Sequence, residues 1–364
     1  KHRNSCYLCS GSFYFMKYVD YIVVGGGISG SVLTYTLMKY GASVHVFDVP
    51  QANKSSIVAS GLWNPIVLKR MKKVWNADAM IESLQAVYPA MENWTNQKFY
   101  EPLPIRRVFH NAGEQNQWVE HSDHPSFSPY LNEAISDIPE YIIAAHGSGL
   151  MQQTGRVHVS KMLDAVRAKL KQGEHFSEEE FNWDRLEAHG DGVKYGALGA
   201  HAIISCEGAQ SALGESKLEV TGFSAVKGEV IKVELAHDLG KECIHQGHFM
   251  IGEGGNRALV GATYAWDGFE EGPSALKRQE LEDHVQKVWD GSFKTIGHKA
   301  GIRPAVKDRR PLIGPHPKEK NVWVFNGMGS RAVLMTPYLA QHLVEHFMYG
   351  SPLLEECLPA RMVK

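Results

Sequence analysis

The chain has 364 residues, of which 43% are hydrophobic and 21% are charged, and its formal net charge is −2. This length exceeds what one hydrophobic core usually supports, so we expect two domains of ordinary globular composition. The near-neutral charge gives no general attraction to nucleic acid or anionic membranes, and five scattered cysteines exclude a disulfide framework.

Residues 1–15 precede the first predicted element. Their basic start and short apolar run are poor evidence of a signal peptide, because polar residues interrupt the run and no small-residue cleavage site follows. We therefore expect a disordered, dispensable leader that ends before Met16. Cys6 and Cys9 have the C-x-x-C spacing of metal and redox sites, but no second Cys/His pair follows at zinc spacing, so we predict no metal site.

The remaining cysteines and the hydropathy pattern indicate where in the cell the protein is expected. Cys206, Cys243 and Cys357 are isolated thiols of the kind that stay reduced inside cells. No stretch has the roughly 18 uninterrupted apolar residues that a membrane-spanning helix needs. These features predict a cytoplasmic protein without a membrane partner.

The first ordered segment has the pattern of a βαβ unit. Residues 18–24 are mostly β-branched or aromatic, which predicts a buried strand. A glycine-rich loop follows, residues 31–40 have helical composition, and Gly41 ends that helix. Residues 43–47 have the alternation of a second strand, and Asp48 follows them.

The glycine loop has the G-x-G-x-x-G spacing of a dinucleotide site. Gly25 permits a tight turn, Gly27 lets the backbone approach a pyrophosphate, and Gly30 lets the helix pack on the strand. The helix start offers N–H donors to the phosphates, and Asp48 is placed to accept hydrogen bonds from a ribose diol. The predicted contacts in this loop are Gly25, Gly27, Ile28, Ser29 and Gly30.

The spacing alone does not decide between FAD and NAD. FAD is favoured because the motif stands at the very start of the fold and because a second glycine loop lies near the C-terminus, where a flavin ring would need covering. The further predicted elements, in chain order, are helices at 78–88 and 159–172, strands at 195–205, 226–235 and 257–263, a helix at 275–289, a strand at 321–325 and a helix that begins at Pro337 and ends at residue 349.

Because dinucleotide-binding elements lie at both ends of the chain, the second domain is expected to be an insertion. We predict an α/β fold, α+β overall, in which a Rossmann-like FAD-binding domain carries an inserted, largely antiparallel β-sheet substrate domain. The predicted FAD-binding domain comprises residues 16–85, 150–220 and 298–364, and the predicted substrate domain comprises residues 86–149 and 221–297.

With these residues in place, the sequence resembles the D-amino-acid-oxidase-like, or glycine-oxidase-like, family of FAD-dependent oxidoreductases. The resemblance extends from Tyr21 to about Tyr349. The four matching stretches are the βαβ start, residues 55–65 with Ser55-Ser56 and Ala59-Ser60-Gly61-Leu62-Trp63-Asn64-Pro65, residues 203–208, and residues 301–314 with Gly301-Ile302-Arg303-Pro304 and Asp308-Arg309-Arg310-Pro311-Leu312-Ile313-Gly314.

The resemblance implies further cofactor contacts. In the family, the segment with Ser55, Ser56, Ser60 and Gly61 passes the pyrophosphate and reaches the flavin ring. Gly208 matches a glycine close to the ADP moiety. Here Cys206 and Glu207 precede that glycine where Ala-Thr or Ala-Ala is more usual.

The same resemblance implies a substrate site. The arginine of the G-x-R-P element, here Arg303, binds the substrate carboxylate in glycine oxidases. A structural ion pair is the alternative role for an arginine beside a proline, but a guanidinium suits a carboxylate held by two hydrogen bonds. We predict Asn64 and Tyr264 as further substrate-binding residues, with ordinary packing as the alternative.

The C-terminal loop is closest to the oxidase domain of the tRNA-modifying enzyme that trims carboxymethylaminomethyl-uridine. In that family, backbone donors of the loop face the pyrimidine edge of the flavin, and a reduced flavin carries negative charge there. The predicted contacts are Gly327, Gly329, Ser330 and Arg331. A surface turn with a solvated arginine is the alternative interpretation.

The leading functional hypothesis is oxidation of the C–N bond of a small amino acid or carboxylate-bearing secondary amine. The resemblance implies hydride transfer to N5 of a non-covalently bound FAD and no obligatory protein base, with O2 or another electron acceptor, O2 giving H2O2. The alternatives are oxidation of a modified tRNA nucleoside, with the basic residues 69–73 as a tRNA contact, and a flavin-binding protein without turnover. The exact substrate and the oligomeric state stay open.

Overall fold

The computed structural model describes residues 16–49 and 55–363. The chain divides into two compact units. Unit 1 consists of the described residues of Lys1–Ala52, Leu163–Ala225 and Arg303–Lys364, and unit 2 of those of Asn53–Met162 and Val226–Ile302. The predicted FAD-binding domain included residues 55–85, 150–162 and 298–302, whereas these residues belong to unit 2. The predicted substrate domain included residues 221–225, which belong to unit 1. The predicted leader, with Cys6 and Cys9, lies outside the described residues.

Eight α-helices lie in the described residues. They are α1 (Ile28–Lys39), α2 (Ser55–Val58), α3 (Ala77–Thr95), α4 (Ala112–Ser122), α5 (Val159–Gln172), α6 (Ala209–Leu213), α7 (Ala275–Val288) and α8 (Ala332–Tyr349). The predicted bounds of α5 agree with the structure, and α7 ends one residue earlier than predicted. None of the helices described has the length and apolar character needed to cross a bilayer.

The predicted helix boundaries at two prolines are wrong. The sequence predicted that one helix ends before Pro89 and that another begins at Pro337, yet α3 and α8 each continue through the proline. A proline inside a helix costs about 3 kcal/mol because it removes a backbone hydrogen bond. Each helix has deeply buried residues on the far side of its proline, Met91 in α3 and Thr336 in α8 among them, so packing outweighs this cost.

The strands in chain order are numbered β1 to β21. The first eleven are β1 (Lys17–Val24), β2 (Val44–Phe47), β3 (Leu62–Trp63), β4 (Ile66–Val67), β5 (Lys72–Lys73), β6 (Tyr100–Pro102), β7 (Ile105–Val108), β8 (Leu131–Ser136), β9 (Ser148–Met151), β10 (Gly155–Val157) and β11 (Phe176–Ser177). The others are β12 (Leu186–His189), β13 (Gly192–Tyr195), β14 (Leu198–Ser205), β15 (Phe223–Leu235), β16 (Cys243–Gln246), β17 (His248–Gly254), β18 (Arg257–Gly261), β19 (Phe293–Val306), β20 (Leu312–Pro315) and β21 (Val322–Asn326).

Unit 1 is built on a sheet whose parallel strands have the order β11-β2-β1-β14-β21. Val24 at the end of β1 pairs with Phe47 of β2 and with Ser205 of β14, and Ser205 pairs with Val324 of β21. The loops after these four strands therefore leave the same edge of the sheet. The strand order reverses between β1 and β14, which is where open α/β sheets bind their ligands.

Unit 2 is built on an eight-stranded sheet with the order β19-β15-β18-β17-β16-β7-β9-β8. Strands β16 and β7 are parallel, and the pairs from β15 to β16 and from β7 to β8 are antiparallel. One face packs on α7, where Leu281, Val285 and Val288 join a fully buried cluster with Ile231 and Val260. The predicted fold class, a Rossmann-like parallel sheet combined with a largely antiparallel one, is confirmed.

Candidate functional site

The first glycine loop, residues 25–30, leaves the carboxyl edge of the unit 1 sheet directly after β1. Gly25 has φ +102°, a conformation that L side chains rarely adopt. Its N–H donates to the carbonyl of Phe47 at 2.8 Å, and a Cβ at this position would lie 2.5 Å from the carbonyl oxygen of Cys206. Both the backbone conformation and the neighbouring strand therefore require glycine here.

Gly26 and Gly30 bring backbone and carboxylate groups close together. A Cβ at Gly30 would overlap the carbonyl oxygen of Gly25, so any side chain would push α1 away from the turn. A Cβ at Gly26 would lie 2.9 Å from Oδ2 of Asp48. The loop thus forms a cradle whose inner surface is bare backbone, as a closely approaching pyrophosphate needs.

The start of α1 faces this cradle with backbone donors. Gly27 is the N-cap residue, with extended backbone and no side chain to act as a cap, and Ile28 and Ser29 are the first two helical residues. First-turn N–H groups of an α-helix have no acceptor within the helix itself. The first turn of α1 also contains no acidic residue, so an anion would meet donors and the positive end of the helix dipole.

Asp48 directly follows β2 at the same edge of the sheet, and only 6% of it is exposed. Arg167 of α5 lies beside it, with Nη2 3.7 Å from Oδ2 of Asp48. A carboxylate in this position fits the hydrogen-bonding needs of a ribose diol. Asp48 was predicted from the sequence, whereas Arg167 was not, because no motif surrounds it.

The departure from the usual family pattern at residues 206–208 has a structural explanation. Burial, with a contribution from Glu207, raises the pKa of the Cys206 thiol, so this thiol stays protonated. The Glu207 carboxylate accepts hydrogen bonds from Trp183 Nε1 at 3.0 Å and from the hydroxyls of Ser205 and Ser216, each at 2.8 Å. These donors occupy Glu207, which leaves the backbone of Gly208, with φ +59°, as the candidate contact.

The second glycine loop, residues 327–331, follows β21. The N–H of Gly327 donates to Oδ1 of Asn326 at 2.7 Å, and Nδ2 of Asn326 donates to the carbonyl of Gly208 at 3.2 Å. Gly329, Ser330 and Arg331 form a 3₁₀ turn that leads directly into α8. Asn326 thus connects two of the predicted cofactor segments, a role that the sequence analysis missed.

Other predicted cofactor residues lie in unit 2. Ser55 and Ser56 begin α2, and Ser60 and Gly61 lie just before β3. Gly61 has φ +76°, and a Cβ there would overlap the carbonyl oxygen of Val157 in β10. The backbone pairing of β3 with β10 therefore fixes the position of this segment within unit 2.

Arg156 in β10 is a buried cation that supports the same segment. Its Nε donates to the carbonyl of Ser60 at 2.9 Å, and its Nη2 lies 2.9 Å from Oε1 of Glu253. Burial alone would raise the pKa of Glu253, but hydrogen bonds from Lys232 and Arg156 outweigh it and lower the pKa. Glu253 is thus held as the anion that balances both cations. No sequence motif marks Arg156.

The predicted substrate residues differ in their surroundings. Arg303 is half-buried within β19, Asn64 is half-buried just after β3, and Tyr264 is 50% exposed three residues after β18. Among the described residues, Oδ1 of Asn64 is buried and has no hydrogen-bond partner. Arg303 belongs to unit 1, and the other two belong to unit 2.

Comparison with known proteins gives the family. A family model described as FAD dependent oxidoreductase, DAO, matches residues 20–346. The chain belongs to this family. The resemblance inferred from the sequence motifs is confirmed, as are FAD as the cofactor and FAD-dependent oxidoreductase as the enzyme class.

Relatives of this DAO-family protein match along most of the chain. Glycine oxidase from Pseudomonas aeruginosa is 22% identical over 358 residues, which cover 92% of this chain and 96% of that protein. The crystal structure of glycine oxidase from Geobacillus kaustophilus matches with a TM-score of 0.75 at 19% identity over 92% of this chain and 96% of that one. The structure of iminodiacetate oxidase from Chelativorans sp. BNC1 matches with a TM-score of 0.74 at 18% identity over 93% and 98%. These structural matches show a shared fold.

The first glycine loop of this DAO-family chain fits the ADP half of FAD. Its cradle has no room for a Cβ at Gly25 or Gly30, the start of α1 offers N–H donors to a diphosphate, and Asp48 is placed for a ribose diol. Individual contacts to FAD stay predictions for these residues and for the remaining members of the set.

Proposed function

We propose that this FAD-dependent oxidoreductase oxidises the C–N bond of a small amino acid or of a carboxylate-bearing secondary amine, with dioxygen as the electron acceptor. The observation that carries the proposal is Arg303, a half-buried arginine in the part of β19 that belongs to unit 1. The relatives support the substrate class, because glycine and iminodiacetate are both amines that carry a carboxylate.

Arg303 suits a carboxylate for two reasons. Its planar guanidinium offers two parallel N–H donors, which match the two oxygens of a carboxylate. Pro304 follows it and restricts Arg303 to extended backbone, as its place in a strand requires. A partly buried setting strengthens such a pair, because water competes less for the charged groups.

In the proposed reaction Arg303 binds the carboxylate and thereby orients the α-carbon. The chemistry that bound FAD would supply is acceptance of the hydride equivalent that leaves this carbon. The amine nitrogen loses a proton, so the substrate becomes an imine, and water hydrolyses the imine to a carbonyl compound and a free amine or ammonia. The two electrons then reduce dioxygen, which takes up two protons and gives hydrogen peroxide. We assign no side chain as a base.

The test compares substrates with and without a carboxylate. We expect glycine or sarcosine to bleach the flavin absorbance under anaerobic conditions. Arg303→Ala should lower kcat/KM for that substrate by about 100-fold or more, as loss of a charge-assisted bidentate contact predicts, and should leave the rate with methylamine unchanged. Arg257→Ala, which removes an exposed arginine of β18, is the matched control. If Arg303→Ala lowers kcat/KM equally for substrates with and without a carboxylate, Arg303 does not bind the carboxylate.

A second candidate function is oxidation of a modified tRNA nucleoside. Lys69, Arg70 and Lys72 are exposed around the turn between β4 and β5, where they could contact phosphates, whereas Lys73 pairs with Asp78 at 2.5 Å. Binding of tRNA that weakens steeply with salt, together with no flavin bleaching by small amines, would favour this function. If small amines do not bleach the flavin and tRNA does not bind, the remaining function is that of a flavin-binding protein without turnover.

A further inference from the structure

Arg167 in α5 lies beside the carboxylate that ends β2. We infer that Arg167 is a positioning residue, which orients Asp48 for the adenosine ribose of FAD. The inference rests on the proposed assignment of Asp48 to the ribose. It adds a residue that belongs to no motif and lies about 120 positions away in the sequence.

The Asp48 carboxylate is held from two sides. Arg167 Nη2 lies 3.7 Å from its Oδ2, and the backbone of Gly26 approaches so closely that a Cβ there would lie 2.9 Å from the same oxygen. Arg167 and Gly26 thus flank Oδ2, and we expect the cation to favour one orientation of the carboxylate about its Cβ–Cγ bond. A fixed orientation suits a ribose diol, because its two hydroxyls must meet acceptors in a defined geometry.

Burial explains why a cation is needed here. Asp48 is only 6% exposed, and a carboxylate removed from water costs several kcal/mol unless a partner compensates it. Arg167 is itself held, since Nη1 lies 3.4 Å from Oδ1 of Asp164 and the guanidinium lies 6.0 Å from the ring centre of Phe176. The Arg167 side chain is also only 19% exposed, so its guanidinium lies beside Asp48 and not out in solvent.

A small empty space beside this pair makes the position testable. Gly26, Ser31, Thr34 and Arg167 are among the residues that line it, and Oγ1 of Thr34 is buried there without a hydrogen-bond partner in the described residues. Because Arg167 borders empty space, a methionine of similar length fits at this position without overpacking. Arg167→Met therefore removes the charge with little change in the fold.

The experiment is a double-mutant cycle. Calorimetry measures the affinity of ADP for the full chain after its FAD has been removed. Arg167→Met should weaken ADP binding about tenfold, and Asp48→Asn at least as much, as loss of an oriented charge-assisted hydrogen bond predicts. Because Arg167 acts through Asp48, the double variant should bind ADP no more weakly than Asp48→Asn alone. Arg185→Met, which removes a guanidinium 5.0 Å from the ring centre of Tyr195, is the matched control.

A second ligand separates positioning from a general folding defect. The wild-type protein should bind ADP more tightly than 2′-deoxy-ADP. Arg167→Met should reduce the ratio of the two affinities, whereas a general folding defect would lower both affinities by the same factor. Wild-type affinity for ADP in Arg167→Met, or losses that simply add in the double variant, would overturn the inference. If Asp48→Asn binds ADP with wild-type affinity, the assignment of Asp48 to the ribose is overturned. That result would leave FAD as the cofactor unaffected.

Discussion

The two glycine loops of unit 1 look alike in sequence but differ in what surrounds them. Each follows a parallel strand at the carboxyl edge of the sheet and leads into a helix. In the first loop, a Cβ at Gly25 or Gly30 would meet backbone carbonyl oxygens. In the second loop, a Cβ at Gly327 would first meet Cγ2 of Val306 at 2.6 Å, and one at Gly329 would meet Ala305 at an ordinary 3.6 Å.

From this difference we infer that a glycine is indispensable where a Cβ would meet backbone atoms and replaceable where it would meet a side chain. The backbones of Gly25 and Cys206 donate hydrogen bonds to the carbonyls of Phe47 and Val24 and cannot move aside without breaking them, whereas a side-chain methyl can shift within a core at modest cost. We therefore expect the first loop to tolerate no side chain at Gly25 or Gly30, and the second loop to tolerate one at Gly329 better than at Gly327. The predictions below test this order.

The largest effect is expected for Gly30→Ala. Its Cβ would overlap the carbonyl oxygen of Gly25, so α1 must move away from the turn. The free energy of unfolding should fall by at least about 3 kcal/mol, and the Kd for FAD should rise about 100-fold or more. Chemical denaturation and flavin fluorescence titration measure the two quantities.

The matched control for that variant is Gly272→Ala. A Cβ at Gly272 would have open space around it, and its φ is not left-handed. This variant should match the wild type in stability and in FAD affinity. Wild-type FAD affinity in Gly30→Ala would show that the first loop is as tolerant as the second, which would break the comparison.

An intermediate effect is expected for Gly327→Ala. Its φ of +84° is left-handed and its Cβ would press on Val306, so strain and overpacking together should cost about 2–3 kcal/mol of unfolding free energy. The double variant Gly327→Ala/Val306→Ala removes the obstructing methyl groups. The double variant should lose less unfolding free energy than the two single variants lose together. If the two losses simply add, contact with Val306 is not the cause of the destabilisation.

The sequence predicted the local framework of these loops well. The βαβ start and α5 followed from hydrophobic periodicity and glycine punctuation, which depend on near neighbours. Long-range pairing did not follow, and the link of β3 to β10 joins segments about 90 residues apart and assigns Ser60 and Gly61 to unit 2. The buried cations Arg156 and Arg167 were missed for the same reason, because only the folded chain brings their partners to them.

Acid should weaken the framework of the first loop. Burial lowers the pKa of His45 in β2 to about 4, with Lys17 and His175 contributing, whereas β21 before the second loop contains no ionisable side chain. Well above pH 6.5 His45 is neutral in both the folded and the unfolded state. As the pH falls from 6.5 towards 4, the unfolded chain binds the proton first, so stability is lost. The loss at pH 5 should be about 1–2 kcal/mol, given that His45 is partly exposed.

The measurement for this effect compares the wild type with His45→Gln. Glutamine retains a group that can hydrogen-bond to Ser177, the partner of His45 at 2.9 Å. Unfolding free energies of the two proteins should run parallel above pH 6.5 and diverge between pH 6.5 and 4, with His45→Gln less sensitive to acid. Parallel curves over the whole range would assign the acid sensitivity to other groups. His245 and His284 of unit 2, whose pKa values are lowered to about 3, are such groups.

The smallest effect is expected for Gly329→Ala. The φ of +56° is left-handed, but the nearest atoms to a Cβ lie at ordinary contact distance, so backbone conformation alone should cost about 1 kcal/mol. Gly329→Asn should cost less, because asparagine tolerates this conformation better. Thermal unfolding of both variants measures the difference. A loss as large as that of Gly327→Ala would show that the surroundings of Gly329 are as tightly packed as those of Gly327.

The most direct test of the central claim is a crystal structure of the protein with FAD. The account predicts that the diphosphate lies against the backbone of Gly27 at the start of α1 and that the adenosine ribose hydroxyls lie within hydrogen-bond distance of Asp48. A diphosphate bound away from this helix start, or a ribose that Asp48 does not contact, would contradict it.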